Sequence, residues 1–266
     1  MEAEGRIHGL KFGCHDLFVS HLLFADDSFI FLEAKKEEYE ALKEALDLYE
    51  ATSGQMINLE KSEACFGKDI EVGRQGYVAD FLKIKVVDCH EKYIGLPTFA
   101  GRCKRDLFKF IKNRVWDKLK GWNRSVFSAV GKEVLLKVVV QAIPTYSMSC
   151  FKLPKTLIRY LHRLIADLWW GSKAGNSKMH LGKWNEMCNS KERGGIGFRD
   201  LRCFNQALLA KQGWRLLKKP DSLVTKVLKA CYYPSRDILT AKKRSKPSFV
   251  WRSIIWGREV IEKGSR

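Results

Sequence analysis

Along the first hundred residues, apolar and polar positions alternate in short runs. Residues 6–13 alternate and close with Gly13, which predicts a short strand. Residues 21–32 place two apolar runs of strand length on either side of Asp26-Asp27-Ser28, a turn-forming group, and predict a β-hairpin with two acids at its tip. Tyr39, Leu42, Leu46 and Tyr49 recur at spacings of three and four and predict a helix over 35–52. Glu37, Glu38, Glu40 and Glu44 weight its N-terminal half, as the helix dipole prefers, and Gly54 is its stop. A strand over 55–62 ending in a polar bend, a helix over 69–83 and strand character from Val86 to Leu96 follow. These elements predict an α+β region: an antiparallel sheet backed by helices.

From Arg102 onward the period is helical. Phe108, Ile111, Val115, Leu119 and Trp122 form one apolar stripe, with Lys109, Asn113 and Lys120 opposite. Further helices are expected over 128–143, starting near Ser128 and stopping before Pro144, and from Pro154 to Gly171. The polar stretch 171–179 is the best linker candidate. A helix capped by Asp200 then runs through Leu201, Phe204, Leu208 and Trp214 and ends before Pro220, with two more over 221–232 and 248–262. The division expected is 1–101, 102–170 and 171–266.

Charge sharpens that division. Residues 1–100 carry 11 Lys and Arg against 19 Asp and Glu; residues 101–266 carry 37 against 11. A basic surface of this density repels itself unless a polyanion meets it, and the interleaved Trp, Phe and Tyr suit nucleic acid. An anionic membrane is the alternative, ranked lower because the apolar helix faces are bulky and core-like. No apolar run is long enough to span a bilayer, and Met1–Gly5 is acidic, so neither a membrane span nor a signal peptide is expected. The eight cysteines form no C-x-x-C pair and no zinc-finger spacing with histidine, which predicts reduced thiols, no disulfide-linked partner and an intracellular setting, nucleus and cytoplasm. His180, Cys188 and Cys203 are the nearest approach to a metal group and read as chance. Asp26 and Asp27 are the chemical candidates: adjacent carboxylates repel unless a cation lies between them, and hard divalent cations take oxygen ligands. The plainer alternative is an ordinary turn, where Asp is favoured.

An ordered series of motifs resembles the plant LINE-type, non-LTR retrotransposon reverse transcriptases. It runs through Phe24-Ala25-Asp26-Asp27, then Ser53-Gly54-Gln55 with Ile57-Asn58 and Lys61-Ser62, then Tyr93-Ile94-Gly95-Leu96-Pro97. It continues through Lys120-Gly121-Trp122, Gln141-Ala142-Ile143-Pro144, Gly194-Gly195-Ile196-Gly197-Phe198-Arg199-Asp200-Leu201 and Trp251-Arg252-Ser253-Ile254. The resemblance implies the C-terminal half of a polymerase palm over 1–101, a helical thumb over 102–170 and a basic helical extension over 171–266. It implies that Asp26 and Asp27 ligate catalytic Mg²⁺, with Mn²⁺ as substitute, for two-metal nucleotidyl transfer. It places Lys61 near the incoming deoxynucleoside triphosphate, Tyr93, Gly95 and Leu96 in the primer grip, and Lys109, Lys112, Lys120 and Arg124 along the nucleic-acid backbone. The partners implied are an RNA template and a DNA primer.

The sequence departs from that pattern where a third carboxylate should lie on an earlier palm strand. Asp16 lacks the preceding aliphatic run and is too close to the hairpin, and the fingers and their Arg-Gln-Gly segment are missing. The expectation is therefore a polymerase fragment, inactive alone. The alternative is a non-enzymatic nucleic-acid-binding remnant that uses the basic helices.

Overall fold

The computed structural model describes residues 5–13, 17–88, 90, 92–93, 95–97, 107–120, 127–171, 179–241 and 247–264. Contacts divide the chain into two units: residues 1–99 with 223–234, and residues 100–222 with 235–266.

The first unit is α+β. In chain order it holds β1 (Leu10–Phe12), β2 (Leu17–Val19), β3 (His21–Phe24), β4 (Asp27–Ile30), α1 (Lys36–Ser53), β5 (Glu63–Ala64), α2 (Val72–Leu82), β6 (Lys85–Val86), β7 (Lys92–Tyr93) and β8 (Leu96–Pro97). The strands do not join into the single antiparallel sheet expected from the alternation. Among the described residues they form four separate two-stranded ladders, β1–β2, β3–β4, β5–β6 and β7–β8. Of these, β5–β6 is parallel, pairing Glu63 with Lys85 and Ala64 with Val86. The reason is connectivity: parallel strands need a crossover, and α2 supplies one, whereas the other pairs are joined by short loops. The strand expected over 55–62 is absent; residues after Gly54 run as coil and turn to β5.

Helix α1 ends as its sequence predicts. Gly54 takes a positive φ of 70° and its N–H closes on the Glu50 carbonyl at 2.9 Å. Tyr39, Ala41 and Leu42 bury the inner face of α1 with Val19 and Val78. The buried Glu38 carboxylate receives the Glu33 N–H at 2.9 Å and lies 2.8 Å from His8 Nδ1, tying the chain before β1 to the first turn of α1. The helix expected over 221–232 is α9 (Leu223–Tyr232), and it packs on β1 and β2. Gly13 makes that contact possible: a Cβ there would stand 2.4 Å from the Ala230 carbonyl oxygen.

The second unit contains no strand among its described residues. Its helices are α3 (Lys109–Lys120), α4 (Ala129–Leu135), α5 (Thr145–Cys150), α6 (Lys155–Trp169), α7 (Trp184–Met187), α8 (Leu201–Lys218) and α10 (Phe249–Gly264). The stripe read on α3 is buried at Phe108, Ile111, Val115 and Leu119; its last member, Trp122, lies outside the described residues. Burying such side chains contributes about 1.5–3 kcal/mol each. Helices α8 and α10 pack most closely, backbone against backbone at Gly257, where a Cβ would meet the Ala210 nitrogen at 2.5 Å. Phe108, Phe151 and Phe249 cluster with ring centroids 5.4–6.2 Å apart.

The helix expected over 128–143 differs in its second half. Ser128 caps it as anticipated, accepting the Gly131 N–H at 3.2 Å. After Leu135, however, the chain widens to a π turn over Leu136–Val140 and then passes through Pro144, in helical geometry, into α5. The wider turn lets the Gln141 N–H reach the Leu136 carbonyl at 3.0 Å. It also aims the buried Gln141 amide at Arg199, whose N–H and C=O it meets at 3.3 and 3.4 Å.

Candidate functional site

The two acids stand at the tip of the β3–β4 hairpin. Phe24 pairs with Asp27, Leu23 with Ser28, Leu22 with Phe29 and His21 with Ile30, which leaves a two-residue loop, Ala25-Asp26. Asp26 is thus in the turn and Asp27 is the first residue of β4. Ala25 takes a positive φ of 48°. Tight hairpin loops require that sign at the first loop residue, and a side chain there costs about 1–2 kcal/mol. Strand alternation puts Asp27 on the face of Leu22, Phe24 and Phe29. At the far end of that face Phe29 packs on Phe31 and His90, at centroid distances of 5.0 and 5.2 Å.

Both carboxylates are exposed, and so are Leu23 (68%) and Phe24 (56%) beside them. Among the described residues neither Asp26 nor Asp27 has an ion-pair or side-chain hydrogen-bond partner. An Asp serving only as a turn former typically bonds its own backbone two residues on. Here both acids are left open to solvent.

The donor set fits the implied metals only in part. One hydrated Mg²⁺ can be held by one or two carboxylates with waters and substrate phosphates. A fixed pair of metals needs more, and no group of three His, Cys, Asp or Glu that could hold a metal ion occurs among the described residues. Asp16, the local acid considered in the sequence, lies outside them. These residues therefore do not by themselves complete a two-metal site.

Lys61 is exposed in the turn that follows α1. Its N–H meets the Asn58 carbonyl and side-chain oxygens at 3.2 and 3.1 Å, and Ser62 Oγ donates to the same carbonyl at 2.9 Å. The Ser-Gly-Gln…Ile-Asn…Lys-Ser motif is thus a helix stop followed by an Asn-stabilised turn. Among the described residues no hydrogen bond or ion pair joins Lys61 to the hairpin. Tyr93 and Leu96 pair across the short β7–β8 ladder, with Gly95 in its turn at φ 72°. Among the described residues nothing comes within 4 Å of a Cβ placed at Gly95, so the glycine serves the backbone angle there.

On α3, Lys109, Lys112 and Lys120 are all exposed; Arg124 lies outside the described residues. Sequence reading overlooked two aromatics that share their surface. Trp116 stands between Lys112 and Lys120, with Lys120 Nζ 5.9 Å from its ring, and Lys112 Nζ lies 4.8 Å from the ring of Tyr160 on α6. The available signal was the spacing 109, 112, 116, 120, which places all four α3 residues along one flank of the buried stripe.

The Gly194–Leu201 motif makes internal contacts among the described residues. Lys137 Nζ donates to the Ile196 carbonyl at 2.6 Å and to Glu133 at 2.7 Å, and with Lys191 it holds the Glu133 carboxyl below its usual range. Asp200 caps α8, accepting from Arg202 and Cys203 N–H at 2.7 and 3.0 Å. The Leu201 N–H donates to His162 Nε2 at 3.0 Å, so the imidazole is neutral with its proton on Nδ1. Burial holds His162 below its ordinary value, against an opposing pull from Asp200. Burial likewise pushes the Cys188 thiol up to about 11, with Asp200 and Cys203 adding to the shift. His180 Nε2 meets Asp167 at 3.0 Å. No helix among the described residues is long and apolar enough to cross a membrane.

Two known proteins of Arabidopsis thaliana are similar to this chain. It is 43% identical over 124 residues to the "Uncharacterized mitochondrial protein AtMg00310", a match that takes in 46% of this chain and 80% of that protein. It is 37% identical over 172 residues to the "Putative ribonuclease H protein At1g65750", which takes in 64% of this chain but spans only 28% of that protein. No protein-family model matches the chain.

Proposed function

The chain belongs to the family of the Arabidopsis mitochondrial protein AtMg00310, and from that premise we propose that it derives from an RNA-directed DNA polymerase of the LINE-type retrotransposon kind. In this reading residues 1–101 carry part of the palm, and the helices that follow carry the thumb and a basic extension. Asp26 and Asp27 contribute two carboxylates to a Mg²⁺ site whose other donors lie on further palm segments. Lys61 faces the triphosphate, Tyr93, Gly95 and Leu96 hold the primer end, and the basic helices hold template and primer. One observation carries the proposal: adjacent acids at the tip of a hairpin, both exposed and unpaired among the described residues. Acids kept for stability are ordinarily paired or bonded to backbone; acids kept for a cation are left open. The 266-residue chain itself binds nucleic acid without polymerising, because in-line transfer needs both metals fixed and the nucleotide clamped.

The experiment is primer extension on a primed RNA template with Mg²⁺ or Mn²⁺. The purified chain extends nothing. Joined to the upstream palm and fingers of a related polymerase, in one chain or in trans, it extends the primer. In the joined protein Asp26→Ala or Asp27→Ala abolishes extension while leaving nucleic-acid binding intact, and Lys61→Ala raises the KM for nucleotide. Extension by the isolated chain, or extension that survives loss of both acids in the joined protein, refutes the proposal.

A further inference from the structure

The surface shared by α3 and α6 combines cations with open aromatic rings. Lys109, Lys112, Trp116 and Lys120 follow one another at steps of three, four and four, so they lie in a row about 16 Å long on one flank of α3. Tyr160 adjoins that row, since Lys112 Nζ lies over its ring. Arg159, exposed, continues the positive surface along α6, whereas Arg163, also exposed, lies 3.8 Å from the Asp167 carboxylate, and both Arg163 and Asp167 line an open cleft of about 580 Å³. Asp117 is the single acid on α3.

Trp116 is 39% exposed and Tyr160 is 36% exposed. Cations alone would suffice to follow a duplex, whose bases are stacked on one another and offer no free ring face. Half-open aromatic rings set among the cations find their match in an unpaired strand, where every base has a free π face. We propose that this face binds single-stranded nucleic acid, with bases stacked on Trp116 and Tyr160 and phosphates on Lys109, Lys112, Lys120 and Arg159. The proposal rests on the nucleic-acid-binding part of the proposed function and specifies it: the preferred form is the single strand, as an unpaired template offers. The lysines are placed for both parts of the ligand. Each of Lys112 and Lys120 lies within 6 Å of a ring that a base covers, so the adjoining phosphate falls beside a cation.

The test uses the full 266-residue chain and two fluorescent probes, a 20-nucleotide oligo(dT) and a 20-base-pair duplex, titrated by anisotropy at one salt concentration. The single strand is expected to bind at least several-fold more tightly than the duplex. Trp116→Ala weakens single-strand binding about tenfold and duplex binding less than twofold, while Trp116→Phe, which keeps a stacking ring, retains most of the affinity. Tyr160→Ala behaves as Trp116→Ala does. If Tyr160→Ala loses helical circular dichroism, the exposed Trp116 decides the matter. Duplex binding as tight as single-strand binding overturns the proposal, as does a Trp116→Ala chain that loses nothing or loses affinity for both probes equally. These outcomes leave general nucleic-acid binding standing. Failure to bind either probe overturns both this proposal and the nucleic-acid part of the proposed function.

Discussion

Removing the Asn205 side chain should destabilise the helical unit severely. The amide is completely buried, accepts the Leu153 N–H at 2.9 Å and donates to the Met148 and Phe151 carbonyls at 2.7 and 2.9 Å. It therefore satisfies one last-turn carbonyl of α5, at Met148, and two backbone groups, the Phe151 carbonyl and the Leu153 N–H, in the turn between α5 and α6. Asn205→Ala leaves all three without that partner. At roughly 1–3 kcal/mol for each buried group left unmatched, the loss is about 4 kcal/mol, near the upper end of what single substitutions cost. For a unit of about 150 residues this lowers Tm by roughly 8–16 °C.

Tryptophan fluorescence during urea unfolding reads the effect cleanly, because all eight tryptophans belong to the second unit and none to the first. The midpoint should fall with the slope unchanged. Asn205→Leu, similar in size and apolar, should lose about as much, since it too leaves the three groups unbonded. A loss below about 1 kcal/mol in both variants would refute the reasoning and mean that water or a backbone shift replaces the amide.

Two further outcomes follow from the charges. Four cations, Lys109, Lys112, Lys120 and Arg159, are placed for phosphates on the α3–α6 face, so log affinity for a single strand should fall with log salt at a slope of about −2.8, or roughly fiftyfold between 50 and 200 mM. Lys112→Gln should make that slope shallower by about 0.7, and a wild-type slope shallower than about −1 would rule out the phosphate contacts. The second outcome concerns His162, whose burial lowers its folded-state value. The unfolded chain then binds the proton more readily, so stability is present above the ordinary histidine range near 6.5 and is lost as pH falls below it. Protonation also removes the acceptor of the Leu201 N–H. Urea midpoints of the second unit should drop between pH 7 and pH 5, and a flat profile contradicts the assignment of His162 as a neutral acceptor.

Local rules made much of the chain legible. The period-3.6 stripe of α3, the caps at Ser128 and Asp200, the glycine stop at Gly54 and the hairpin bearing Asp26 and Asp27 all follow from residues within a few positions of one another. The sequence alone therefore determined an α+β beginning, a helical continuation and two acids at a hairpin tip. Tertiary structure decided what depends on distant partners. Whether β5 and β6 pair in parallel turns on where α2 returns the chain. Whether α9 lies against β1 and β2 turns on Gly13 meeting Ala230, more than two hundred residues away in sequence. In the sequence Gln141, Asn205 and Ser253 read as ordinary polar positions. Each is buried because a backbone group 52 to 101 residues distant needs a hydrogen-bond partner, as Leu153 N–H does from Asn205 and Lys152 N–H from Ser253 at 2.8 Å. Trp116 and Tyr160 share the complementary fate. Their sequence neighbours do not say whether a ring is covered, since burial is set by the packing of one helix on another, and here that packing leaves both rings half open beside the lysines of α3.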